Sequence, residues 1–165
     1  MYRIAQFYTV SRGQLEADWN NAFPGRPVPG EIRLPRRATA GSAGYDFFSP
    51  TDFELSPGET ILLPTGVRAK MDDGWVLMLF PRSGLGFKYR LQLNNTVGVI
   101  DSDYFGAKNE GHIMLKLTND SNEHRTLRVN AGDAVAQGVF LPYGITVDDE
   151  ADGAREGGFG STDRQ

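Results

Sequence analysis

The stretch His112-Ile113-Met114-Leu115-Lys116-Leu117-Thr118 decides the fold class. Ile113, Leu115 and Leu117 alternate with His112, Met114 and Lys116, the two-residue period of a half-buried β-strand. Elsewhere the chain holds apolar runs of strand length, Thr60–Leu63, Trp75–Phe80 and Ala134–Leu141. Turn signals recur among them, at Ser56-Pro57-Gly58, Asp72-Asp73-Gly74, Asn119-Asp120-Ser121-Asn122 and Ala131-Gly132-Asp133. From Ile32 to Val147 the pattern is β throughout, without an internal repeat. Short strands at such spacing predict an all-β sandwich or closed barrel.

The two ends differ from this pattern. Ser11-Arg12-Gly13-Gln14 fits a capping box, Leu15, Trp19 and Phe23 follow at helical spacing, and Pro24, Pro27 and Pro29 stop the helix. Residues 1–30 are therefore expected to form a strand and a short helix packed on a domain spanning residues 31–147. A partner-binding appendage is the competing expectation. Residues 148–165 open with the acidic run Asp148–Asp152 and continue with Arg155-Glu156-Gly157-Gly158-Phe159-Gly160-Ser161-Thr162. Such a composition cannot bury a core, and a flexible arm is expected there in the absence of a ligand, a plain disordered end being the competing expectation.

A chain of 165 residues has the size of one domain and buries roughly 70% of its unfolded surface, enough for a core without staples. The lack of Cys excludes disulfides and thiolate metal sites, and two His residues argue against a His-based zinc site. The formal charge of −4, from 17 basic and 21 acidic residues, speaks against a protein that coats a nucleic-acid backbone. A few placed Arg side chains still suffice for a small anionic ligand. Met1–Val10 has neither the apolar length of a signal peptide nor that of a membrane span, so a cytoplasmic location is expected.

Chemistry concentrates in Asn94-Asn95-Thr96-Val97-Gly98-Val99-Ile100-Asp101-Ser102-Asp103-Tyr104-Phe105-Gly106. An Asn amide can pair with a nucleobase edge, an Asp can orient a water, and a Tyr ring can lie against a sugar. The plainer alternative is a β-hairpin whose polar residues only build its turn. Four other stretches share the theme. Ala43-Gly44-Tyr45-Asp46 offers a carboxylate at a strand start. In Pro81-Arg82-Ser83-Gly84, a guanidinium, a hydroxyl and a Gly N–H leave a core strand together, as an anion site requires. Gly132–Gln137 sets an amide in an apolar run, where it needs a partner if buried. The tail places Arg155, Phe159, Ser161 and Thr162 among glycines, without the Lys of a Walker A loop.

In order and content these five stretches resemble the motifs of the trimeric dUTPases: Ala43–Asp46, Pro81–Leu85, Asn95–Gly106, Gly132–Gln137 and Gly157–Thr162. The resemblance spans residues 32–162. It implies a jelly-roll-like β-barrel, a homotrimer with sites shared between subunits, and hydrolysis of dUTP to dUMP and pyrophosphate with Mg²⁺. Carried over by position, Asn95 and the backbone of Gly98, Val99 and Ile100 would read uracil, and Tyr104 would leave no room for a 2′-hydroxyl. Asp101 would orient the attacking water, and Arg82, Ser83, Gly84 and Gln137 would hold the phosphates. Phe159 would cap the base, with Arg155, Gly160, Ser161 and Thr162 at the terminal phosphates. The metal would be held mainly by the triphosphate, with Asp46 accepting from its waters.

The chain departs from the family pattern at four places. Arg155 stands one position later than the usual arginine, where Ala154 is found; Asp163 follows Thr162 in place of a common Gly; Ala134 stands where Arg is frequent; and Ala107–Gly111 is a short insertion. Two other functions compete with dUTP hydrolysis. A dCTP deaminase of the same fold would need an acid/base Glu, and none lies in Asn94–Gly106. A nucleotide-sensing binder with reduced catalysis is the non-enzymatic alternative.

Overall fold

The structure, a computed structural model, describes residues 2–153. Among these the order is β1 (Ala5–Thr9), α1 (Arg12–Ala22), β2 (Arg36–Arg37), β3 (Tyr45–Phe48), β4 (Phe53–Leu55), β5 (Thr60–Pro64) and β6 (Val67–Met71). There follow β7 (Trp75–Pro81), α2 (Ser83–Tyr89), β8 (Leu91–Leu93), β9 (Gly98–Ile100), a 3₁₀ helix (Ser102–Gly106), β10 (Met114–Asn119), β11 (Leu127–Val129) and β12 (Ala134–Pro142). The five-stranded sheet has the order β2-β3-β12-β7-β9 and the three-stranded sheet β5-β10-β8, while β1-β6 and β11-β4 are two-stranded ribbons. All four contribute to one core, in which Phe47, Leu63, Leu77, Ile113 and Leu117 are completely shielded from solvent. Each such Leu adds about 1.5–3 kcal/mol by leaving water. None of the helices among the described residues is long and apolar enough to cross a membrane.

The expected strands Thr60–Leu63, Trp75–Phe80 and Ala134–Leu141 are present as β5, β7 and β12, each ending one residue later on a proline. Proline, lacking an N–H, can close a ladder but cannot continue it. On β10, Leu115 and Leu117 point inward and Lys116 outward, as their alternation requires. The alternation fails at His112. That residue precedes the strand and is fully buried, because its ring satisfies its polar atoms inside the protein.

One further expectation is corrected, and one alternative falls. The span 32–147 is not β throughout, since α2 and the 3₁₀ helix interrupt it. Arg82 O starts α2 by accepting from the N–H groups of Leu85 and Gly86 at 3.1 and 2.8 Å, and the left-handed Arg90 ends it. A helix of seven residues with two glycines is too short to show its period. Nor is Asn94–Gly106 a hairpin turn. β8 pairs with β10 while β9 pairs with β7, so the segment carries the chain from one sheet to another.

Helix α1 begins as its sequence dictates, with Ser11 Oγ accepting from Gln14 N–H at 3.2 Å. Val10 and Leu15 pack with Trp19 as a hydrophobic staple. The second half of the capping box comes from elsewhere. Ser11 N–H donates to Glu110 at 2.7 Å, and the Gln14 amide turns instead to Asp18 at 2.8 Å.

Candidate functional site

Strand β9 ends the five-stranded sheet, so among the described residues only one of its edges is paired, Gly98 with Leu79, Val99 with Met78 and Ile100 with Leu77. Beside it a cavity of 140 Å³ is lined by Leu79, Asn95, Gly98, Val99, Ile100 and Tyr104, together with residues of β8 and β10. An apolar cavity of about 150 Å³ accepts benzene, so this one has the size of a single-ring guest. Asn95 is exposed at the rim and can offer both a donor and an acceptor to such a ring.

Asp101 follows β9 directly and begins the 3₁₀ helix, its carbonyl accepting from Tyr104 N–H at 3.2 Å. That single turn brings Tyr104 back against the pocket wall. The ring is only 5% exposed, and its hydroxyl is held at the far end. It donates to His112 O at 2.9 Å and accepts from Asn109 Nδ2 at 2.8 Å. Beside it, Arg68 stacks 3.6 Å over the Phe105 ring and donates to Phe105 O. Phe105, the neighbour of Tyr104, is thus braced from β6.

A second group of predicted residues meets on the β3-β12-β7 surface. The register places Asp46 opposite Gln137 and Gln137 opposite Phe80, so Asp46 and Gln137 share a face. Arg82, just past the end of β7, turns back to Asp46 with Nε 3.4 Å from Oδ1. Gln137 Nε2 donates to Pro81 O at 3.4 Å. Gly44 fits here because a Cβ at that position would lie 2.8 Å from Gln137 Oε1. Ser83 and Gly84 follow Arg82 on the exposed start of α2. The two groups are linked through β7, where Leu79 at the pocket is three residues from Arg82, roughly 10 Å at strand rise. Arg155, Phe159, Gly160, Ser161 and Thr162 lie outside the described residues.

The polar residues that support Tyr104 escaped the sequence reading. Asn109 and Glu110 belong to the insertion Ala107–Gly111, which looks like a lengthened loop. Ser11 donates to Glu110 through its hydroxyl and its backbone N–H, which holds that carboxyl below the usual range, with Arg68 adding to the effect. Burial keeps His112 below its usual value, although Asp18 at 2.6 Å pulls the other way. Gly66 N–H donates to His112 Nε2 at 2.7 Å, so that nitrogen carries no proton and Nδ1–H faces Asp18. The contact is a hydrogen bond from a neutral imidazole to a carboxylate, not an ion pair. The one local signal was the polar pair Asn109-Glu110 before a Gly, which marks a turn but not its partners.

Fold and site together define a jelly-roll-like β-barrel with a cavity of single-ring size beside β9 and the cluster Arg82, Asp46 and Gln137 one strand end away. The dUTPase family model matches residues 30–163. The deoxyuridine 5'-triphosphate nucleotidohydrolase of Lactococcus lactis subsp. lactis (strain IL1403) is 42% identical over 134 residues, covering 79% of this chain and 88% of that protein. The one from Haemophilus influenzae (strain PittEE) is 40% identical over 146 residues, covering 84% and 92%. The crystal structure of dUTPase from Streptococcus mutans aligns with a TM-score of 0.64 at 37% identity, over 87% of this chain and 98% of that one. A mutant dUTPase from phage phi11 of S. aureus, described with a coordinated structural Mg(II) ion, aligns at 0.63 and 22% identity over 92% of this chain and 98% of that one, a likeness of fold. The chain belongs to the dUTPase family.

Proposed function

We infer that this protein hydrolyses dUTP to dUMP and pyrophosphate. The observation that carries the site assignment is the 140 Å³ cavity walled by Asn95, β9 and Tyr104, with Asp101 next in the chain. Uracil fits its dimensions. Asn95 and the unpaired backbone edge of Gly98, Val99 and Ile100 supply donors and acceptors, and cytosine would reverse one of each. The Tyr104 ring closes the sugar side, leaving no space for a 2′-hydroxyl.

Asp101 orients a water and accepts its proton as the water oxygen bonds to the α-phosphorus. The bond from that phosphorus to the bridging oxygen breaks, and pyrophosphate leaves with the electron pair. Such a reaction depends on alignment and charge neutralisation rather than covalent catalysis. Arg82, Ser83, Gly84 and Gln137 hold the phosphate chain, and Arg155, Phe159, Gly160, Ser161 and Thr162 of the arm 148–165 complete the site. Mg²⁺ would be held mainly by the triphosphate, with Asp46, which faces Arg82, placed to accept from its waters. When bound it neutralises charge on the triphosphate. We take the working enzyme to be a cytoplasmic homotrimer, each site joining the pocket of one copy to phosphate-binding residues of another.

The test is pyrophosphate release from dUTP, dCTP and UTP, with and without Mg²⁺, beside a native mass measurement. Release from dUTP alone, dependent on Mg²⁺, is the expected result; release of ammonia from dCTP would replace the hydrolase by a deaminase.

A further inference from the structure

Helix α1 forms no part of the pocket, yet it touches the loop behind Tyr104 at two places. Glu110 accepts from the N–H and the hydroxyl of Ser11, the N-cap of α1, at 2.7 and 2.6 Å. Further along the same helix, Asp18 accepts from His112 Nδ1 at 2.6 Å. Just before the first anchor sits Asn109, whose Nδ2 donates to the Tyr104 hydroxyl at 2.8 Å, and that hydroxyl donates to His112 O at 2.9 Å. The loop has little slack. Asn109 Oδ1 accepts from Gly111 N–H at 3.2 Å, and Gly111 passes so near Tyr104 that a Cβ would lie 2.5 Å from its carbonyl oxygen.

The helix is itself a firm support. Val10, Leu15 and Trp19 bury its inner face, with Trp19 stacked edge-on against Phe23 at 4.9 Å. His112 is locked from a third direction by Gly66 N–H. A wall that excludes one hydroxyl must be held to within about 0.5 Å, which packing and outer hydrogen bonds achieve and a lone loop does not.

We propose that α1 is the positioning element for sugar discrimination: Asp18 through His112, and Ser11 through Glu110, fix the depth of the Tyr104 ring in the pocket. The proposal rests on Tyr104 as the sugar wall. Asp18, Asn109, Glu110 and His112 are positioning residues and need not touch the nucleotide.

The test compares kcat/KM for dUTP and UTP in the full-length chain and in Asp18→Ala, Asp18→Asn, Asn109→Ala and Tyr104→Ala, with thermal midpoints measured in parallel. Asp18→Ala and Asn109→Ala are each expected to lower the dUTP-over-UTP preference about three- to tenfold, the effect of one lost positioning hydrogen bond. Asp18→Asn restores most of it, because its amide oxygen still accepts from Nδ1–H. A lower midpoint with an unchanged preference in both alanine variants marks a merely structural contact and overturns the proposal. If Tyr104→Ala nevertheless lowers the preference, the sugar wall itself stands. An unchanged preference in Tyr104→Ala removes the wall and the proposal with it. Should Asp18→Ala not fold, Asn109→Ala and Glu110→Gln decide by the same ratio.

Discussion

Arg82 Nε lies 3.4 Å from Asp46 Oδ1, which joins two stretches of sequence that lie well apart in the chain. The pair is partly exposed, with side-chain accessibilities of 42% and 18%, so it contributes little to the fold. On the proposed reading, its value is in aiming a guanidinium that an incoming phosphate would share. Arg82→Ala is expected to lower kcat/KM for dUTP about a hundredfold, as two charge-assisted hydrogen bonds at about 1.5 kcal/mol each require. The thermal midpoint should stay within a degree or two of wild type. Steady-state pyrophosphate release and a melting curve check both halves.

Asp101→Asn keeps the shape of the turn and removes the proton acceptor. Turnover should fall about 10²- to 10⁴-fold. Affinity for a non-hydrolysable dUTP analogue, measured by calorimetry, should change little. A variant that hydrolyses at the wild-type rate would remove Asp101 from the mechanism.

Gly111→Ala places a side chain at φ +70° and a Cβ 2.5 Å from the Tyr104 carbonyl oxygen. The backbone cannot yield without moving the 3₁₀ helix. A loss of about 1–3 kcal/mol is expected from the strained conformation, with more from the contact. Thermal unfolding should show a midpoint several degrees lower. An unchanged midpoint would show that the loop relaxes freely.

The buried His112 gives stability a pH dependence. Burial holds its pKa below the ordinary 6.5, so below that pH the unfolded chain takes up a proton that the folded chain does not. Stability is therefore full above about pH 6.5 and falls with pH until the folded value is reached. The groups facing the ring, Asp18 from α1 and Glu110 from its own loop, favour the proton and narrow that window without reversing it. Denaturant unfolding between about pH 5 and pH 8 should show this slope. His112→Gln should flatten it; equal slopes in both proteins would assign the effect elsewhere.

The strands were legible because their signals are local. A two-residue alternation at Leu115 and Leu117, or a run such as Trp75–Phe80, declares itself within a few positions. The residues of the pocket, Asn95 to Tyr104, were legible as types in an order. What could not be read was pairing across the chain. Ser11 and Glu110 are 99 residues apart and Asp18 and His112 are 94 apart, and no periodicity connects them. The capping box shows the difference well. Its first half, Ser11 with Gln14, is local and was foreseen, whereas its second half comes from Glu110. Helix α2 was hidden for another reason: Gly84 and Gly86 in so short a segment read as turn residues.

Strand β1 is the only hydrogen-bonded strand partner of β6 among the described residues, through the register Ala5 to Met71 and Thr9 to Val67. A chain shortened by its first ten residues would strip β6 of its β1 ladder and remove Phe7 from its place against the core. Such an open edge is a template for another chain. The amino-terminal segment therefore guards solubility: a truncated protein should still contain its catalytic residues yet be lost to aggregation before its activity could be judged.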